Sequence, residues 1–117
     1  MERLPKIVKA RRQALGLTEA VLDKLIEEAL VDAYGDEQRM SFYSLIQGNL
    51  AVPFKTEILG MQVRVERVAL IGEDEVVAIC RRGREEQTIP ILDLPLPAPL
   101  PKGAEWIEAY RRFLGEG

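Results

Sequence analysis

At Pro53 the apolar period of this chain changes from helical to two-residue. Before it, Leu22, Leu25, Ile26, Ala29, Leu30 and Ala33 recur at three- and four-residue steps; after it, β-branched residues crowd segments punctuated by Gly60, Gly72 and Gly83. A chain of 117 residues that changes period in this way has room for helices and one small sheet around a single core. The expected class is therefore α+β: N-terminal helices packed on a small antiparallel, strongly twisted sheet or partial barrel, with a C-terminal helix.

The expected domain is one unit over residues 1–117. A basic leader helix (1–16) tolerates Pro5 in its first turn and ends at Gly16. A helical pair (17–50) follows, with Thr18 as the first N-cap and a first helix reaching about Tyr34. Gly35 takes the left-handed position, and Asp36 caps a second helix to about Gly48 that turns Phe42, Leu45 and Ile46 inward. Strands are expected at 54–59, 62–71, 75–82 and 87–92, joined by short turns into a meander. An extended linker (95–103) carries Pro95, Pro97, Pro99 and Pro101. A closing helix (104–114) presents Trp106, Ile107, Tyr110 and Phe113 to the core.

Composition narrows the chemistry. With 47% apolar and 30% charged residues the chain reads as soluble and globular, and no apolar run nears the roughly 20 residues of a membrane span. The opening Met1-Glu-Arg-Leu-Pro5 lacks the layout of a secretory signal, so a cytoplasmic location and no membrane partner are expected. There is no histidine, which removes Ser-His-Asp and Cys-His arrangements and most zinc and copper sites. Cys80 is the only cysteine and reads as a small strand residue. No nucleophile or base has an evident partner, so no catalytic residue is assigned and no enzymatic activity is expected. Lys6, Lys9, Arg11 and Arg12 make the leader basic, yet without interleaved aromatics or a helix-turn-helix they point to salt bridges with the acidic helix that follows, not to nucleic acid.

The carboxylates are the remaining chemistry. Asp32, Asp36 and Glu37 flank Gly35 at the helix break, and Glu28 and Asp32 lie near the C-terminus of the helix before it, where acids are unfavourable by about 0.3–1 kcal/mol each. A bound cation, Arg39 or a lysine folding back would offset that cost, and so would solvent. Calcium requires about six to eight oxygens, which carboxylates and carbonyls freed at Gly35 supply in adequate number. No twelve-residue EF-hand loop is present. Glu73, Asp74 and Glu75 form a second acidic group on a predicted hairpin turn, and helix capping and solubility are the plainer reading of both groups.

At Asp32-Ala-Tyr-Gly-Asp-Glu-Gln38, Phe42-Tyr43 and Asn49-Leu-Ala-Val-Pro-Phe54 the chain resembles the CcbP-type family of small bacterial calcium-binding proteins. The resemblance runs over residues 31–94 and ends in Gln87-Thr-Ile-Pro-Ile-Leu-Asp-Leu94, like that family's final strand. It implies a helix-plus-sheet protein that binds Ca2+ through surface carboxylates, as buffer or sensor, without catalysis. It also implies Asp32, Asp36 and Glu37 as first ligands, and Glu73, Asp74 and Glu75 in character only. Gln47 and Gly48 stand where the family has acids, and the acidic insertion between the middle strands is short, so weaker binding is implied. The alternative expectation is a non-catalytic structural or interaction module that has lost the metal and docks on a protein partner.

Overall fold

The computed structural model describes residues 5–115, so residues 1–4 of the expected leader lie outside the described residues. In chain order it contains helices α1 (Lys6–Ala14), α2 (Glu19–Leu30) and α3 (Glu37–Asn49), strands β1 (Phe54–Ile58), β2 (Met61–Ile71), β3 (Glu75–Arg82) and β4 (Glu85–Pro90), a 3-10 turn at Ile91–Asp93, and helix α4 (Ala104–Phe113). The α+β class follows from the change of period at Pro53.

Local chemistry sets the helix ends. Thr18 Oγ1 accepts the Val21 N–H at 3.2 Å, which fixes the start of α2 as its sequence position implies. The helix stops at Leu30, short of Tyr34, because Asp32 adopts φ 62° and the Ala33 N–H turns back to the Leu30 carbonyl. Aspartate is among the few residues that visit this left-handed region readily. Gly35 is left-handed as expected, with φ 58°. Asp36 does stand before α3, but its own backbone is already helical and its carboxylate caps nothing; the amides of Glu37 and Gln38 bond instead to the carbonyls of Tyr34 and Gly35.

The four strands form one antiparallel sheet in the order β1-β2-β3-β4. β1 and β4 are its edges, so the sheet is open and does not close into a barrel. Leu59-Gly60 makes the first hairpin turn with φ 51° and 79°, the doubly positive geometry of a tight two-residue turn. Gly83-Arg84 makes the last one, which pairs Arg82 with Glu85 and starts β4 two residues earlier than expected. A bulge between Val65 and Arg67 shifts the pleat by one residue. Without that shift Val68 would fall on the face opposite Val65; with it, Val63, Val65 and Val68 all join the core beside Val76, Ala78 and Cys80.

Helices α2, α3 and α4 pack against one another, and α3 lies on β2. Phe42 is fully buried at the centre of this layer, 4.9 Å from the Phe113 ring and 5.3 Å from Tyr110. The proline-rich segment is pinned to its neighbours: Thr56 Oγ1 donates to the Pro95 carbonyl at 2.8 Å, and the Ala51 amide donates to Lys102 at 2.8 Å. Gly103, at φ 94°, presses on the Asn49 carbonyl and Leu50 amide where no Cβ fits.

The basic leader departs from expectation in its partner. Arg11 and Arg12 turn to Glu108 on α4 and not to the acidic face of α2. Glu108 is wholly buried; its Oε1 receives Arg12 Nε at 3.0 Å and lies 3.5 Å from Arg111 Nε, while Arg11 Nη1 stands 3.9 Å from Oε2. Arg11 and Arg111 also donate to the carbonyls of Leu94 and Leu92 at 3.1 and 2.9 Å. Burial pulls the Arg11 guanidinium below its ordinary range, with Glu108 opposing that shift and Arg111 adding to it. Removing the one acid from this cluster strands buried cations, a change that costs about 3–5 kcal/mol. Glu108→Ala is therefore expected to lose a large share of the stability of the fold, measured by urea unfolding through the fluorescence of Trp106, the only tryptophan.

Candidate functional site

The six carboxylates singled out from the sequence are all exposed and come from two turns. Asp32 and Asp36 lie in the α2–α3 turn and Glu37 opens α3; Glu73 and Asp74 lie in the β2–β3 turn and Glu75 opens β3. The β2–β3 turn meets the first turn of α3. Arg39, in the first turn of α3, reaches Asp74 across 35 residues of chain with Nη1 3.5 Å from Oδ2. Of the ways to offset the acids at the helix break, Arg39 folding back is not the one used: its carboxylate partner is on the other turn. Both members of the pair are substantially exposed, so water screens the bridge and it orients more than it stabilises.

As they stand, the carboxylates do not converge. Among the described residues no group of three or more His, Cys, Asp or Glu side chains is disposed to hold one metal ion. What does form is a cleft of about 320 Å³ behind the β2–β3 turn. Arg39, Asp74 and Glu75 line its mouth, with Asp93 from the 3-10 turn and Tyr110 from α4. Val76, Ile91, Leu92 and Leu114 give it an aliphatic wall.

Asp93 and Tyr110 were not legible as members of this site. Asp93 sits in a run of leucines and prolines that reads only as a connector, and Tyr110 reads as core, which it also is: 3% of its surface is exposed. Burial pushes the Tyr110 hydroxyl above the ordinary tyrosine range; the Arg39 guanidinium, by charge and hydrogen bond, pulls against that shift, and Asp74 adds to it. Cys80 behaves as expected of a strand residue: it is fully buried in β3, and burial raises its thiol. No helix among the described residues is long and apolar enough to cross a membrane.

These relations have signs that titration reads. A group whose folded pKa lies above its unfolded value contributes stability that is whole below the unfolded value and lost as pH rises through the folded one. For Tyr110 the loss begins near the ordinary tyrosine value of 10.0. In a chain carrying Tyr34→Phe and Tyr43→Phe, phenolate absorbance is expected to appear later in Arg39→Gln, which loses the cation that favours phenolate, and earlier in Asp74→Asn, which loses the opposing anion. Equal midpoints in all three would contradict the influence of Arg39 and Asp74 on the Tyr110 hydroxyl.

No family model matches the chain, and neither a curated protein nor a solved structure matches it.

Proposed function

We propose that this chain is a non-catalytic calcium-binding protein, a buffer or sensor that holds the ion through exposed carboxylates without an EF-hand. The ligands in this reading are Asp32, Asp36 and Glu37, with Glu73, Asp74 and Glu75 contributing from the facing turn. Two things support it: the resemblance over residues 31–94, and the Arg39–Asp74 bridge, which brings the acidic hairpin turn beside the first turn of α3. The second carries the reading, because it sets Asp74 beside the turn of α3 that Glu37 opens.

Affinity in this reading is low. The side chains are exposed and separate, so ordering them around an ion costs rotamer entropy that a preformed cage avoids. Calcium must also compete with the Arg39 guanidinium for Asp74. The absence of three converging donors among the described residues favours a second reading, a protein-interaction module on the same scaffold without metal.

Calorimetric titration of metal-stripped protein with calcium separates the two. Saturable heat is expected, with a rise in melting temperature; an ion at about a hundred times its dissociation constant adds about 2.7 kcal/mol. Asp36→Ala with Glu37→Ala is expected to remove most of that increment while leaving the metal-free melting point nearly unchanged. No heat and no stabilisation at millimolar calcium would leave the interaction module standing.

A further inference from the structure

The strand directions alternate, so the Leu59-Gly60 and Gly83-Arg84 turns share one end of the sheet and the acidic β2–β3 turn occupies the other. The shared end has two features that the calcium reading leaves unused. At its tip Leu59 is 94% exposed and holds φ 51°. A tight turn of this geometry favours asparagine or aspartate at that position, so the leucine brings backbone strain and a wetted apolar side chain together. Met61, the next side chain along, is exposed as well, which makes the fingertip apolar where a turn is normally polar.

Behind the fingertip the register sets like charges opposite one another. Lys55 pairs with Arg64 and Arg64 with Arg81, a row of cations across β1, β2 and β3 on the face away from the core, since Val63 and Val65 on either side of Arg64 point inward. Such neighbours repel and weaken a sheet. Arg81 is answered by Glu66 at 3.1 Å and Glu86 at 3.2 Å, whereas Lys55, Arg64, Arg82 and Arg84 form no ion pair among the described residues. Glu85 stands opposite Arg82 in the ladder without bonding to it. Lys55, Gln62, Arg64, Arg81 and Arg82 line one depression of about 150 Å³, and no carboxylate of the described residues lines it. These cations converge on a shared volume with room for a phosphate group, whose oxygens suit guanidinium forks.

We propose that this end of the sheet docks on an anionic phospholipid surface, with Lys55, Arg64 and Arg82 receiving lipid phosphates and the Leu59 fingertip inserted among the headgroups. The two features together select this occupant. An acidic peptide supplies anions but no hydrocarbon layer for a protruding leucine, and single-stranded nucleic acid is held by stacking on aromatic side chains, of which neither turn has any. A second copy meeting this end with its own would bring cations against cations. A bilayer with acidic headgroups supplies both chemistries, and it repels the acidic β2–β3 turn at the far end, which favours one orientation. Docking of this kind needs no spanning helix, so the absence of one among the described residues does not bear on it. It is also independent of the calcium reading, because none of the six carboxylates takes part.

The test is co-sedimentation of the full chain, in chelator and at low salt, with vesicles of equimolar phosphatidylglycerol and phosphatidylcholine and with pure phosphatidylcholine vesicles. Binding is expected to the anionic vesicles and to weaken as salt rises. Arg64→Gln and Arg82→Gln are each expected to weaken it about fivefold, and Leu59→Asn about tenfold. Leu59→Asn gives the turn a residue its backbone favours, so its melting temperature is expected to hold or rise, and its loss of binding is not a loss of fold. No sedimentation with the anionic vesicles would overturn the proposal, as would equal binding to pure phosphatidylcholine. Vesicle binding that ignores Leu59→Asn would also overturn it, leaving a plain electrostatic patch. Stabilisation by inorganic phosphate without vesicle binding would identify a free anion as the occupant, and self-association abolished by Leu59→Asn would assign the tip to a second copy; either result overturns the lipid docking.

Discussion

The buried carboxylate of Glu108 is the constraint on which the rest of the structure depends. An isolated carboxylate in the interior costs several kcal/mol, and the fold avoids that cost by surrounding it with the guanidiniums of Arg11, Arg12 and Arg111. The arrangement joins residues 96 positions apart and so closes the chain on itself, α1 to α4. It also reaches the cleft behind the β2–β3 turn. Arg111 holds the Leu92 carbonyl and Arg11 holds the Leu94 carbonyl, so the residue between them, Asp93, has its backbone clamped on both sides. The placement of one carboxylate in the cleft is thus a consequence of charge satisfied in the core behind it.

That dependence explains which parts of the molecule were legible from sequence. The change of period at Pro53, the Thr18 cap and the left-handed Gly35 are local signals, each contained within a few residues, and each appears where its chemistry requires. The end of α2 was not legible, because the apolar stripe runs on through Ala33 while the backbone reverses at Asp32. The Glu108 cluster has no local signature at all. In Glu105-Trp-Ile-Glu-Ala-Tyr-Arg-Arg-Phe113 the charged residues read as the wet face of an amphipathic helix, yet every residue from Trp106 to Arg111 is buried. Only the return of α1 from the other end of the chain gives Glu108 its partners.

The candidate site divides in the same way. Asp32, Asp36 and Glu37 could be found because they crowd a visible helix break, and Glu73 to Glu75 because they mark a visible turn. What links the second group to α3 is Arg39 meeting Asp74, a pairing between a helix and a hairpin that no spacing within either one encodes. Asp93 and Tyr110 required the fold itself. Both lie in segments whose apolar neighbours, Leu92 and Leu94 in one case and Ile107 and Phe113 in the other, dominate any reading by pattern.

The net charge of −3 says little about where the charges lie. Three of the basic residues, Arg11, Arg12 and Arg111, are drawn inward, where Glu108 and backbone carbonyls fix them. Negative charge is left at turns that face solvent, and at the α3 end it meets only Arg39 in the lining of the cleft. A guanidinium in a partly exposed bridge is a weak competitor, because solvent has already taken most of the Coulombic gain. A calcium ion held here as proposed would therefore compete for Asp74 only with a screened guanidinium, and its affinity would be set by how far the separate carboxylates of the two turns can be ordered around it.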